Sequence, residues 1–201
     1  DGTFTDISEE SGIQVVNPAT GEPVAKSLAV VPVDLGGDGR VDLIVANDTV
    51  RNFLFRNLGD GAFEEIGGLA GVGYDSAGAA TGAMGTDIAD YRNDGRLGIA
   101  IGNFANEMSS LYVQQANAWE FADEAIVEGV GAPSRAALSF GLFFFDVDLD
   151  GRLDLLQANG HIEDDIARVQ ASQSHAQPAQ LFWNTGPDAR MSFTPMPADS
   201  I

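Results

Sequence analysis

A nine-residue Asp-rich segment around a glycine recurs at an interval that does not drift: DLGGDGRVD from Asp34, DYRNDGRLG from Asp90 and DVDLDGRLD from Asp146 begin 56 residues apart. The register extends past the acidic positions, because Gly39, Gly95 and Gly151, Arg40, Arg96 and Arg152, and Asn47, Asn103 and Asn159 keep the same spacing. A fixed period of this length marks a repeat architecture, in which one supersecondary unit buries its apolar faces only by stacking on its neighbours.

Short apolar runs flank every copy. Leu28 to Val33, Thr86 to Tyr91 and Leu138 to Phe145 precede the loops, and Leu43 to Ala46, Ile99 to Gly102 and Leu155 to Ala158 follow them. Runs of this length bounded by turn residues read as buried strands. A third strand is expected at Phe53-Leu54-Phe55, Leu111-Tyr112-Val113 and Leu181-Phe182-Trp183, and a fourth around Phe63, Phe121 and Phe193. Four short strands per unit are the pattern of a β-propeller blade, so the expected fold is all-β, built of four-stranded antiparallel blades. The expected blades are 27–67, 85–126 and 138–198, with Thr3-Phe4-Thr5-Asp6-Ile7 in segment 1–26 as the outer strand of a preceding blade. The chain then holds about three and a fraction blades.

The loop chemistry points to calcium. A hard cation of this kind takes 6 to 8 oxygen ligands, which a short loop supplies by placing carboxylates at alternate positions around a sharp turn. In the third copy Asp146, Asp148, Asp150 and Asp154 occupy positions 1, 3, 5 and 9, Gly151 makes the turn, and the Arg152 carbonyl is the natural donor at position 7. An EF-hand is excluded, since it requires a Glu at position 12, where this chain has Val45 and Gln157, and helices on either side. The first copy keeps Asp34, Asp38 and Asp42 but has Gly36 at position 3, so a weaker site is expected. The second has Arg92 at position 3 and Gly98 at position 9, leaving Asp90 and Asp94; it is expected to hold no ion, with the Arg92 guanidinium pairing with Asp90 or Asp94 in its place. The alternative for each copy is a solvated acidic turn. The expected complement is one to two Ca2+ ions.

Two segments depart from the period. Between Asn159 and Leu181 an excursion over 160–180 carries His161, Glu163, Asp164 and Asp165 and has room for a short helix; it is either a recognition loop or an inert packed one. The Gly-rich stretch 67–85 lacks the spacing of a dinucleotide loop and reads as a close connection between blades.

Thirty acidic residues against ten basic ones give a net charge of −20, which argues against nucleic acid or an anionic membrane as partner. There is no cysteine, which removes disulfides and Cys-based metal sites, and no apolar run long enough to span a bilayer. The first residue is Asp1 rather than Met, which suggests processing or a fragment.

Val45-Ala46-Asn47-Asp48, Asn52-Phe53-Leu54-Phe55-Arg56-Asn57 with Gly59-Asp60-Gly61-Ala62-Phe63, Met84 to Tyr91, and Ala158-Asn159-Gly160-His161 together resemble the FG-GAP/VCBS repeat proteins, the integrin-α-like propellers. Within them the likeness is to the bacterial and cartilage-acidic-protein-like branch associated with ASPIC/UnbV domains. The resemblance implies a seven-bladed propeller, of which this length is about half. It implies calcium in the loops between the first two strands of a blade, through Asp146, Asp148, Asp150, Arg152 and Asp154, and through Asp34, Asp38, Arg40 and Asp42, both arginines acting by backbone carbonyl. It further implies a non-enzymatic, secreted or extracytoplasmic (periplasmic or cell-surface) adhesion module whose partner is a protein or glycan. The alternatives are a structural subunit that completes its propeller with further copies or the remaining part of its own polypeptide, and a hydrolase-like activity at the His161 loop.

Overall fold

A computed structural model describes residues 2–197; Asp1 and Ile201, and residue 198 at the expected edge of the third blade, lie outside the described residues. The fold is all-β. The first sheet contains β1 (Ser27–Val33), β2 (Asp42–Asn47), β3 (Phe53–Gly59) and β4 (Ala62–Glu65), and the second β5 (Ala83–Ala89), β6 (Gly98–Asn103), β7 (Ser110–Gln114) and β8 (Phe121–Asp123). The third contains β9 (Ser139–Phe145), β10 (Asp154–Asn159), β11 (Gln180–Asn184) and β12 (Phe193–Pro195). All three are antiparallel meanders with strands in sequence order, as blades are. One-turn helices α1 (Gly67–Ala70) and α2 (Gly131–Ser134) lie in the two connections between sheets, and α3 (Ile166–Val169) lies in the 160–180 excursion.

Every Asp-rich loop joins the first strand of its sheet to the second. The same pair closes each hairpin, with Val33 opposite Asp42, Ala89 opposite Gly98 and Phe145 opposite Asp154, so the 56-residue register is conserved in space as well as along the chain. The period-2 alternation explains why the central strands are apolar on both faces. Ile99, Ile101 and Tyr112 of the middle sheet pack with Ile44 and Leu54 of the first. Their neighbours Ala100, Leu111 and Val113 pack with Leu155, Phe182 and Phe193 of the third. The middle sheet is therefore sandwiched, and each fully buried Ile or Leu there contributes about 1.5–3 kcal/mol. The innermost strands run side by side, β1 against β5 and β5 against β9, and Asp87 Oδ2 accepts the Phe144 N–H at 2.8 Å across the second of these seams.

The outer face of the first sheet is covered differently. Val45, Phe53 and Phe55 are buried under Ile13, Val15 and Val24 from the N-terminal segment. Residues 3–7 do not form the expected strand, and Phe4 is fully exposed. An outer strand forms by pairing with a third strand, and no described strand is paired to this segment.

The repeat contains an element that the loop spacing does not reveal. Gly12, Gly71 and Gly129 each adopt φ of 80–90° and each lie against the backbone carbonyl of a fourth-strand phenylalanine, Phe63, Phe121 and Phe193 respectively. A Cβ at any of these glycines would approach that oxygen closer than 3.0 Å. Ser11 O also accepts the Phe63 N–H at 2.7 Å, and Glu128 O the Phe193 N–H at 2.9 Å. The segment leaving one blade is thereby latched onto the outer edge of the next.

Candidate metal centre

The loops are closed by their own carboxylates. Asp34 accepts the N–H groups of Asp38 and Gly39, Asp90 those of Asp94 and Gly95, and Asp146 those of Asp150 and Gly151, all at 2.8–3.1 Å. Position 1 thus folds the turn in all three copies, whether or not the other acids are present. Position 9 does a second job. Asp42 and Asp154 are buried, and each accepts two backbone N–H groups: Leu35 and Asn57 for Asp42, Val147 and Asn184 for Asp154, at 2.7–3.0 Å. Each carboxylate fastens the start of the loop to the end of the third strand.

In the third loop Asp146, Asp148 and Asp154 offer carboxylate oxygens that all lie within 4.8 Å of one another, the one such acidic group among the described residues. Convergence of three hard oxygen donors fits a calcium ion. Asp148 is exposed and accepts the Trp183 Nε1–H at 3.1 Å. The structure does not bring the fourth acid in: Asp150 pairs with the Arg152 guanidinium, which also donates through Nε to Asn184 O at 3.0 Å.

The first loop gathers less. Asp38 pairs with Arg40 at 3.3 Å, and Gly36 sits against the indole of Trp119 from the neighbouring sheet, where a Cβ would come to 3.1 Å. The missing position-3 acid is therefore a packing requirement. Burial holds the Asp42 carboxyl above the usual range despite its two N–H donors, with the charges of Asp38 and Asp34 adding to the shift.

The second loop corrects the expected Arg92 pairing. Arg92 Nη2 bonds Glu124 Oε2 at 2.7 Å and Glu128 Oε1 at 2.6 Å rather than Asp90 or Asp94, because Arg92 points toward the connection after β8. Asp94 pairs with Arg96 instead, which lowers its pKa. Position 9 is Gly98 because the Tyr91 ring occupies the space that its side chain would need. The second loop braces its neighbour through Asn93 Nδ2, which donates to Gly151 O at 3.1 Å.

Position 4 is left-handed in every copy, with Gly37 at φ 67°, Asn93 at 54° and Leu149 at 60°. Glycine and asparagine tolerate this region and a leucine does not, so Leu149 carries backbone strain of about 1–2 kcal/mol. Its side chain is 86% exposed and returns little by burial. Leu149→Gly is expected to raise stability by about 1 kcal/mol in urea unfolding, with the slope unchanged.

The excursion is mostly exposed and is anchored at a few buried residues, His161, Ile166 and Gln173. His161 is buried, its Nδ1 accepts the Glu163 N–H at 3.1 Å, and its ring meets Phe104 edge-on at 5.5 Å. The imidazole thus orders the start of its loop. Glu163, Asp164 and Asp165 are exposed, and Gln173 and Gln177 tie the loop to Ala136 and Leu138. The recurring Asn47, Asn103 and Asn159 prove to be ties as well, each accepting from a Ser or Thr hydroxyl at or just before the first strand and donating to a carbonyl in the turn before the third.

Residues 34–101, from the first Asp-rich loop through most of β6, match the family model described as FG-GAP-like repeat. No curated protein matches the chain.

Proposed function

The chain is an FG-GAP repeat protein, and on that premise we propose that it is a calcium-braced, non-enzymatic interaction module that works outside the cytoplasm on a protein or glycan ligand. The observation that carries the calcium reading is the convergence of Asp146, Asp148 and Asp154 within a loop already closed by backbone N–H donors. These three carboxylates and the Arg152 carbonyl would hold the ion, and Asp150 would join them on leaving Arg152. Asp34, Asp38, Asp42 and the Arg40 carbonyl form a weaker second site, and Asp90 and Asp94 none. Calcium supplies charge neutralisation and cross-linking of the loop, with no part in bond making. Loops of this kind fill at millimolar calcium, which favours a secreted or extracytoplasmic setting. No helix is long and apolar enough to cross a membrane among the described residues.

The two tryptophans make the test specific, since Trp183 bonds Asp148 in the third loop and Trp119 packs on Gly36 in the first. At a Kd of about 10⁻⁴ M, calcium at about 10⁻³ M adds about 1.4 kcal/mol per site. For a chain of this size that raises the melting temperature by about 3–6 °C. Trp119→Phe should retain the calcium-dependent fluorescence change from the third loop, and Asp148→Ala in that background should lose it. A melting curve identical in EDTA and in calcium refutes the reading.

A second reading rests on the flanking sheets. Leu28 and Val30 on β1 are each 57% exposed and Phe143 on β9 is 46% exposed, so the half-propeller presents apolar inner strands at both sides. Apolar sheet faces of this kind are covered by further blades or by another chain, as expected of a unit of a seven-bladed ring. Light scattering separates the two readings: a monomer at micromolar concentration rules out self-association.

A further inference from the structure

A pocket of about 640 Å³ opens between the second Asp-rich loop and the turn joining β11 to β12. Arg92, Arg96, Arg152 and Arg190 all line it, which places four of the ten basic residues of a −20 chain around one cavity. The turn that walls it, 185–192, is the longest of the three outer hairpin connections, against 60–61 and 115–120 in the other sheets. Arg190 sits on that turn and its side chain makes no ion pair or hydrogen bond with a described residue. The remaining three arginines are only partly engaged. Arg92 uses one nitrogen for two glutamates, Arg96 uses Nε and Nη2 for Asp94, and Arg152 is held by Asp150 and Asn184 O. A guanidinium has five N–H donors, so each retains some.

Two buried groups that line the pocket are poorly satisfied. Tyr91 is 2% exposed and Glu128 8% exposed; the Tyr91 hydroxyl faces the Glu128 carboxylate, yet among the described residues neither that hydroxyl nor Glu128 Oε2 completes a well-formed hydrogen bond. Buried polar atoms left unpaired are costly, and a ligand that pairs them recovers that cost on binding. A bare anion answers only the arginines and is repelled by Glu128. A hydroxyl group both donates and accepts, so it answers Glu128 and Tyr91 together. Pro187 and Ala189 add an apolar patch to the wall.

We propose that this pocket binds an acidic saccharide unit, a sugar ring bearing a carboxylate, with ring hydroxyls on Glu128 and Tyr91 and the carboxylate on Arg190 and its neighbouring arginines. Arg152 also pairs with Asp150 of the third loop, so the test is run in EDTA to hold that loop in one state. Calorimetric titration with glucuronate, glucose, acetate and inorganic phosphate on the full chain should show glucuronate binding at least about tenfold more tightly than the other three. Arg190→Ala, on an exposed turn, should weaken glucuronate about tenfold at an unchanged melting temperature. Tyr91→Phe, which deletes only the buried hydroxyl facing Glu128, should weaken it several-fold. Equal affinity for acetate or phosphate would make the pocket a simple oxyanion site and overturn the proposal. Equal affinity for glucose, no binding of glucuronate, or full binding by both variants would overturn it as well.

Discussion

Asp154→Ala is expected to destabilise the protein by about 2–3 kcal/mol in EDTA, with no ion involved. The carboxylate is 1% exposed and accepts from Asn184 N at 2.7 Å and Val147 N at 3.0 Å. Hydrogen bonds to a charged group contribute about 1.5–3 kcal/mol each, and the Asn184 N–H, on a buried residue, has no ready substitute. Part of the loss is offset. Removing one of three carboxylates held within 4.8 Å relieves repulsion of about 1 kcal/mol per pair at a dielectric near that of water, appropriate to a loop with one exposed member. The two lost bonds outweigh that relief. Urea unfolding of Asp154→Ala beside Asp148→Ala reads the difference, because Asp148 is exposed and supports only the Trp183 indole. Asp148→Ala should be neutral or slightly stabilising in EDTA and should abolish the third loop's share of the gain from calcium. Equal losses for both variants in EDTA would mean that position 9 has no bracing role beyond the acidic cluster.

Positions 1 and 9 therefore brace the hairpin with or without an ion, which explains how the second loop keeps its shape without acids at positions 3 and 9. Asp90 still folds the turn, and the Tyr91 ring fills the place of the ninth side chain over Gly98. Leu97 and Gln114 then replace the carboxylate bridge to the third strand, Leu97 N donating to Gln114 Oε1 at 3.2 Å and Gln114 N to Leu97 O at 2.9 Å. Loss of two acidic positions and survival of the hairpin are compatible because backbone donors, present in every sequence, do the folding.

How much of this was legible in the sequence follows from which contacts are local. The twelve strands could be located because apolar runs and the 56-residue period report burial and register directly, and the loops sit where the spacing puts them. Partners from other blades could not be read. Gly36 reads as a lost ligand until Trp119 is seen against it, and Arg92 reads as a stand-in cation until Glu124 and Glu128 are seen beyond it. The turn of Asp150 toward Arg152 is equally invisible, since both residues belong to the motif and only geometry chooses between pairing and convergence. One signal was present and unused: Phe4 and Gly12, Phe63 and Gly71, and Phe121 and Gly129 each stand eight residues apart. Phasing the repeat on the acidic loop split this pair between units and hid it.

That pair supports the second large effect. Gly71→Ala is expected to cost about 2–4 kcal/mol, and Gly129→Ala a similar amount, in thermal or urea unfolding. Two contributions combine. At φ 87° and 90° an L-residue is strained by about 1–2 kcal/mol. The added Cβ must also displace the Phe121 or Phe193 carbonyl, which belongs to an outer strand and cannot swing aside as a flexible side chain would. Overpacking of this kind costs about 1–3 kcal/mol more. Gly78→Ala separates the two contributions, because Gly78 has φ 80° but nothing within 4 Å of its Cβ position, so it should lose only the strain. In a repeat protein, stability is close to a sum of blade and interface energies, and a weakened latch should loosen one seam before the rest. Hydrogen exchange should then show faster opening of β8 in Gly71→Ala and of β12 in Gly129→Ala, with β2 and β3 protected in both. Uniform acceleration across all three sheets would show that the glycines support the fold as a whole and not the edge on which each one packs.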